Sequence, residues 1–444
     1  MKTILVLGAG RSSSALIAYL LDYAGKGMFT LLVGDLSPEL AQERINGSGA
    51  GKAIRFNIED EAQSTEAIRS ADVIISLLPP HYHAAVAKHC LAHGRHLLTA
   101  SYVSDEMNSL QEEAEKKRLL FLNECGLDPG IDHISAMEII HRVKERGGSL
   151  ISFESFTGGL IAPETDPENP WRYKFTWNPR NVVMAGQGTA RYLEDGTFKY
   201  IPYQQLFRRT TAITVPGHGD FEGYANRNSL TYINTYGLQG INTMVRGTLR
   251  YKGFCDAWNV LVQLGCCDDG YRMDAVDRMT HRSFTETFLA GGSGSPQQKL
   301  RQQFLLHHDG IEMRCLGWSG FFSDELVGLK EGTPAQVTEH ILNKKWKLGP
   351  SDKDMVVMWH RFVYEQDGQG HEIQSSLVVK GEDAVRTAMA NTVGLPLGIA
   401  ARLVVEGKIS STGVQIPVAP EIYMPVLKEL REQGISFNEV ERLL

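Results

Sequence analysis

The sequence is poor in cysteine, with six in 444 residues, and none of them stands in C-x-x-C spacing. The only close pair, Cys266 and Cys267, is adjacent. That pattern argues against a disulfide scaffold and for a reduced, cytoplasmic enzyme. A basic cluster is missing too: 45 lysines and arginines against 52 acidic residues give a net charge of −7. Nucleic acid is therefore not an expected partner, although a few local arginines can still meet an anionic substrate. Long apolar runs are absent. The opening MKTILVLGAG has a short apolar run that ends in glycines, too short for a signal peptide or a membrane span, and no later stretch approaches membrane length. Internal repeats and low-complexity tails are also absent. What remains is a chain long enough for two or three domains, with 42% hydrophobic residues to build their cores.

The first 125 residues alternate strand and helix. Thr3–Leu7, Phe29–Val33, Ala53–Phe56, Ala71–Leu78, His96–Thr99 and Leu119–Leu122 read as six short buried strands. Leu16–Ala24 and Met107–Lys117 have helical spacing. Alternation of this kind predicts parallel βαβ units with right-handed crossovers. The first turn is GAGRSS, Gly8 to Ser13. Gly8 permits the tight turn, Gly10 lets a pyrophosphate approach the backbone, and Ser13 replaces the third glycine of the dinucleotide fingerprint. The helix that follows offers free N–H groups to the anion. Asp35 ends the second strand in VGDLS, where an acidic residue accepts hydrogen bonds from the adenosine ribose and repels a 2′-phosphate. NAD is therefore preferred over NADP. NADP remains possible, because Arg11 can supply a cation. The structural alternative is that Asp35 or Ser37 caps the helix beginning near Pro38.

Beyond Gly147 the pattern changes. Ile151–Phe156 and Thr248–Tyr251 look like strands of a mixed sheet, separated by the proline-rich loop APETDPENPWRYKFTWNPR. Long ordered loops usually shape a site or an interface. Phe254 to about Lys347 reads as a helical insert, and Asp354–Glu365 with Ile373–Lys380 as a hairpin at the edge of the middle sheet. Ala384–Val405 is apolar at helical spacing but is broken at Gly394 and Pro396; packed on the first domain, it would make that domain discontinuous. The expected organisation is a Rossmann-like doubly wound parallel sheet (residues 1–127 with 384–444), a mixed α/β domain for substrate and dimerisation (128–253 with 351–383), and a helical insert (254–350).

In open α/β sheets ligands lie beyond the carboxyl ends of the strands. That selects Leu77-Leu78-Pro79, then Thr99-Ala100-Ser101-Tyr102, then Asn123 to Asp128. Asp128, in GLDPGIDH, is placed near the nicotinamide, whereas Asp132 is placed at a helix cap near His133. Tyr102 brings a phenol to the same rim, either to move a proton or only to hydrogen-bond substrate. Arg227 and Arg250 are candidate carboxylate clamps, because the guanidinium fork fits a carboxylate bidentately. His89 and His93 stand four apart on a helix, yet no carboxylate or cysteine completes a metal set, and no metal is expected. Cys125 reads as a buried thiol.

Together DVIISLLPPHYHAAVAKHC, TASYVSDEM, NECGLDPGIDHISAM, GGLIAPE, YKFTW, NRNS, VRGTLRYKGF and GLPLGIAARLVVEGKI resemble the saccharopine reductase family, the glutamate-forming saccharopine dehydrogenases. The resemblance implies a nucleotide domain built from both chain ends, a homodimer, and oxidoreductase chemistry joining saccharopine with glutamate and 2-aminoadipate 6-semialdehyde. Matched by motif, it implies substrate contacts at Ser101, Tyr102, Asp128, Arg227 and the segment Thr248, Leu249 and Arg250, with Asp128 and Tyr102 catalytic. It implies cofactor contacts at Gly8, Gly10, Arg11, Ser12, Ser13, Val33, Gly34, Asp35, Asn57, Ile58, Leu77 and Ser101, and at Lys174, Phe175 and Thr176, which close over the nicotinamide. Fungal members that use NADP carry a basic residue after the second strand, where this chain has Asp35. The alternatives are a related amino-acid imine oxidoreductase, of the carboxynorspermidine-forming or lysine 6-dehydrogenase type, and a non-catalytic NAD-binding sensor.

Overall fold

The computed structural model describes residues 1–185 and 187–444, and their contacts fall into two units: residues 1–149 with 381–438, and residues 150–380 with 439–444. In the first unit, six strands alternate with helices: β1 (Thr3–Leu7), β2 (Thr30–Asp35), β3 (Gly51–Arg55), β4 (Val73–Ser76), β5 (His96–Thr99) and β6 (Leu120–Leu122). They pair in parallel in the order β6-β5-β4-β1-β2-β3. The order reverses between β1 and β4, which opens a crevice beyond their carboxyl ends. β1 and β4 carry runs of Leu, Ile and Val because both faces of this sheet are covered.

Three details differ from the sequence reading. A seventh strand, Gly413–Gln415, pairs in parallel with β6. The expected helix at 107–117 is two short ones, Asp105–Asn108 and Gln111–Lys116. Ala388–Val405 runs unbroken through Gly394 and Pro396. Gly394 is there for proximity: a Cβ on it would lie 2.8 Å from the Leu16 backbone nitrogen of the helix Ser14–Gly25. This 18-residue helix is also long and apolar enough to cross a membrane, which corrects the expectation that no stretch approaches that length. With 72% of it buried, it stands as a core helix of the first unit.

The second unit holds a nine-stranded mixed sheet. Its strands are β7 (Ser149–Ile161), β8 (Ala190–Glu194), β9 (Thr197–Ile201), β10 (Thr210–Val215), β11 (Gly219–Ala225), β12 (Thr243–Tyr251), β13 (Asp354–Gln366) and β14 (Gln369–Lys380), with Asn438–Leu443 as the last. The main path runs β10-β11-β12-β7-β13-β14 and ends on Asn438–Leu443, while β8 pairs with β12 and β9. The β13–β14 hairpin is therefore interior rather than at the edge, and residues 439–444 join this unit rather than the nucleotide-binding one. Helices from Phe254–Leu264 to Pro334–Trp346 share one apolar core with the sheet, centred on Trp171, Tyr173, Phe254, Trp258 and Trp346. The segment 254–350 is thus part of this unit's core.

Candidate active site

The glycine turn is shaped by contacts from three strands. Gly8 has φ +101°, its N–H donates to the Gly34 carbonyl at 2.8 Å, and a Cβ on it would meet the Leu77 carbonyl oxygen at 3.1 Å. Gly34 is similarly restricted, because a Cβ there would lie 2.9 Å from that of Phe56. Gly10 is different: nothing lies within 4 Å of the place its Cβ would take, so its backbone borders open space. Ser13 closes the turn, its hydroxyl donating to the Gly10 carbonyl at 2.8 Å. Arg11 is exposed and Ser12 half-buried beside it. The arrangement fits a pyrophosphate against Gly10 and the following helix start.

Asp35 does not cap the next helix. Ser37 does, accepting from the Leu40 N–H, while the Asp35 carboxylate accepts from the Ala9 N–H at 2.8 Å and the Ser37 N–H at 3.0 Å. Arg44, unremarked in the sequence, donates from Nε to the Ala9 carbonyl at 3.2 Å. Nothing local to Arg44 marks it, since it lies 35 residues from its acceptor. Among the other expected cofactor contacts, the Val33 side chain is fully buried in the sheet. Asn57 accepts from the Glu59 N–H, and Ile58 packs on the core. The buried Val33 side chain leaves only its backbone for a ligand.

The β5 and β6 exits are laced together. Glu124 N–H donates to the Ser101 carbonyl and Cys125 N–H to the Thr99 carbonyl. The buried Glu124 carboxylate accepts from the Val103 N–H at 3.1 Å and lies 2.9 Å from His133 Nε2. This lacing brings Tyr102 and Asp128 together: the phenol donates to Asp128 Oδ1 at 3.3 Å, with both residues half-buried. The GLDPGIDH stretch folds on itself. A Cβ on Gly130 (φ +150°) would lie 2.0 Å from the Gly126 carbonyl oxygen. The helix starts at Ile131, and Asp132 turns back to accept from the Gly130 N–H at 2.6 Å. Burial pushes the Cys125 thiol up to about 12, which leaves it unreactive. Ser101 Oγ lies 2.8 Å from His83 Nε2, a histidine the sequence did not single out because five histidines crowd the stretch His81 to His96. His89, the expected half of an i,i+4 pair, sits instead beside the hydroxyls of Ser64 and Thr65.

In the second unit Arg250 and Thr248 lie on β12. Arg250 is buried, with its guanidinium near the Tyr173 and Phe254 rings (5.1 and 5.2 Å to the centroids). Its Nη1 donates to the Leu249 carbonyl, and its Nε has no protein partner. Thr248 accepts from Asn226 Nδ2 at 2.9 Å. Leu249 is fully buried, which leaves only its backbone for a substrate. Arg227 is exposed, on a loop with φ +48°. The side chains of the YKFTW motif are engaged within the second unit. Lys174 is held by Asp166 at 2.9 Å and Asp352 at 2.8 Å, and Phe175 is packed edge-on against Trp346. Both side chains serve the core. Tyr173 and Thr176 each keep a buried hydroxyl without a protein partner.

Residues 4–122 match the family model for the saccharopine dehydrogenase NADP binding domain, and residues 126–435 that for the saccharopine dehydrogenase C-terminal domain. The chain is 32% identical over 450 residues to saccharopine dehydrogenase (NADP(+), L-glutamate-forming) of Schizosaccharomyces pombe, covering 99% of each. It is 34% identical over 448 residues to the mitochondrial alpha-aminoadipic semialdehyde synthase of Mus musculus, covering 98% of this chain and 47% of that protein. The chain thus spans about half the length of the mammalian relatives it matches. Among solved structures, the apo saccharopine dehydrogenase (L-Glu forming) from Saccharomyces cerevisiae superposes with a TM-score of 0.90 at 31% identity, covering 100% of both chains.

Proposed function

Because this chain belongs to the saccharopine dehydrogenase family, we propose that it interconverts saccharopine with L-glutamate and 2-aminoadipate 6-semialdehyde, using a nicotinamide dinucleotide. The observation that carries this reading is the Tyr102–Asp128 pair on the strand exits of the same unit that holds the glycine turn. The bound nucleotide supplies a hydride acceptor in the oxidative direction. Loss of hydride from the carbon beside the secondary amine leaves a substrate imine. Water adds to that carbon, the nitrogen takes up a proton, and the C–N bond breaks to release glutamate and the aldehyde. Asp128 is assigned the proton taken from water and returned to nitrogen, and Tyr102 orients that carboxylate through its hydroxyl. Arg250 is assigned a substrate carboxylate, since a buried cation among aromatic rings awaits an anion; Arg227 and Thr248 are assigned further substrate contacts, and Ser101 contacts to both substrate and nucleotide.

Asp35 supports NAD as the preferred nucleotide, because its carboxylate adds negative charge where a 2′-phosphate would sit. Arg44 is the nearby cation that favours NADP, the nucleotide printed in the fungal relatives' names. A homodimer is supported by the exposed aromatics Phe198 and Tyr200 on one face of β9. A reducing, cytoplasmic location is supported by the six free, buried cysteines. The test is the initial rate of saccharopine oxidation with NAD and with NADP, followed by reduced-nicotinamide absorbance. Faster turnover with NAD supports both readings. A preference for NADP keeps the reaction and overturns the reading of Asp35. Nucleotide binding without turnover removes the reaction.

A further inference from the structure

Among the buried titratable groups at the same strand exits, His83 touches a residue assigned to the site, Ser101. His83 begins the helix after β4 and is 5% exposed. Ser76 Oγ, from the last residue of β4, lies 2.9 Å from Nδ1; Ser101 Oγ, after β5, lies 2.8 Å from Nε2. Thr99 Oγ1 stands 3.3 Å from Nε2 and accepts from the Ser101 N–H. The ring thus spans two adjacent strand exits beside the topological switch point. Burial pushes its pKa down to about 4, so at neutral pH it holds one N–H and one lone pair. A neutral imidazole with a hydroxyl at each nitrogen is directional: one hydroxyl donates and the other accepts. If Nδ1 carries the hydrogen, Ser101 donates to Nε2 and turns its lone pairs outward. If Nε2 carries it, Ser101 accepts and turns its hydrogen outward. In both cases the free side of the Ser101 hydroxyl is fixed before a ligand arrives.

We propose that His83 is a positioning residue, anchored by Ser76, which orients the Ser101 hydroxyl toward the nicotinamide nucleotide. The inference deepens the proposed function and rests on its placement of the nucleotide at these strand exits, but not on saccharopine being the substrate. A double-mutant cycle tests it, with the dissociation constant of the reduced dinucleotide read by nicotinamide fluorescence on the full chain. His83→Ala and Ser101→Ala should each raise that constant roughly three- to tenfold, the size of one neutral hydrogen bond. The double variant should cost no more than the larger single one. His83→Gln, whose amide can still reach Ser101, should recover part of the loss, and Ser76→Ala should reproduce part of it while leaving the ring in place. A purely structural histidine would give additive losses and no rescue by Gln. Additive losses, or an Ser101→Ala protein that binds like wild type, overturn the proposal. If the chain binds dinucleotide with this coupling yet does not oxidise saccharopine, the proposed reaction falls and the role of His83 stands.

Discussion

Arg250 keeps its guanidinium inside the second unit with no carboxylate in salt-bridge distance among the described residues. An ionised group so placed costs stability until a counter-ion arrives. The cost and the function therefore separate under substitution. Arg250→Met keeps the volume and removes the charge, so the expected outcome is a KM for saccharopine raised roughly 10- to 100-fold, as for a lost charge-assisted hydrogen bond. The same variant should unfold no earlier than wild type in urea. A large drop in the midpoint would show that the guanidinium is a structural partner instead. Asp128 makes the complementary demand: Asp128→Ala should lower turnover by about 10²- to 10⁴-fold, the range of a lost general acid–base group. Dinucleotide affinity should not change, and unchanged turnover would remove Asp128 from its role. The nearness of Asp128 and Tyr102 was legible in the sequence because a positional rule selects both: each follows a strand at its carboxyl end. The side-chain partners of Lys174 and Phe175 were not, because a motif says nothing about which way its side chains face, and here Asp166, Asp352 and Trp346 engage them. His83 and Glu124 escaped for a related reason: their importance lies in partners 7 to 21 residues away in sequence.

The packing of Ala388–Val405 against Ser14–Gly25 shows what a single element fixes. Gly394 faces the Leu16 backbone and Gly398 faces the Tyr19 ring, where a Cβ would stand 2.7 Å from its Cδ1. Arg402 on the same helix donates to the Tyr19 hydroxyl at 2.8 Å. The helix it presses on begins directly after the glycine turn, so a shift there moves the anion-binding N–H groups. Gly394→Ala adds a methyl group that backbone cannot avoid, at an expected cost of about 1–3 kcal/mol. Urea denaturation should show that loss together with weaker dinucleotide binding; stability lost without weaker binding would mean that the turn is held by its strand contacts alone. Helical spacing made this element visible in the sequence, but the break expected at Gly394 and Pro396 was misleading. Glycine reads as a helix breaker when its purpose, close approach to another helix, is tertiary. Gly413–Gln415 was invisible for the opposite reason. Three residues with no alternation carry no periodic signal, and only their parallel register with Leu120–Leu122 makes them a strand.

At the scale of the molecule, the parallel pairing of alternating strands and helices in the first unit followed from the sequence pattern, whereas the destination of the last six residues did not. Asn438–Leu443 is exposed along its length and would pass for a tail, yet the Leu444 N–H donates to the Gly370 carbonyl and Arg442 bridges to the buried Glu372. Stability as a whole carries a pH signature that the buried histidines set. Burial holds His83 down at about 4, against an ordinary value of 6.5, and pushes His96 and His281 in the same direction. Between the folded and unfolded values the unfolded chain binds more protons, so stability falls as pH drops from about 6.5 toward 4. At pH 5 the displacement of His83 alone corresponds to about 2 kcal/mol, at 1.36 kcal/mol per pH unit. Glu372, Glu406 and Glu421 are held below their ordinary range by hydrogen bonds and ion pairs, so their contribution is present above about 4.5 and lost only below it. Burial raises the Glu222 and Glu339 carboxyls, which act in the opposite sense, so the histidine contribution between pH 6.5 and 5 is read by comparison with a variant. Urea midpoints measured across this interval should fall for the wild-type chain and fall less for His83→Gln, which has nothing to titrate at that position. Equal slopes in the two proteins would mean that His83 takes up its proton in the folded state without penalty, and that its burial is not maintained in solution.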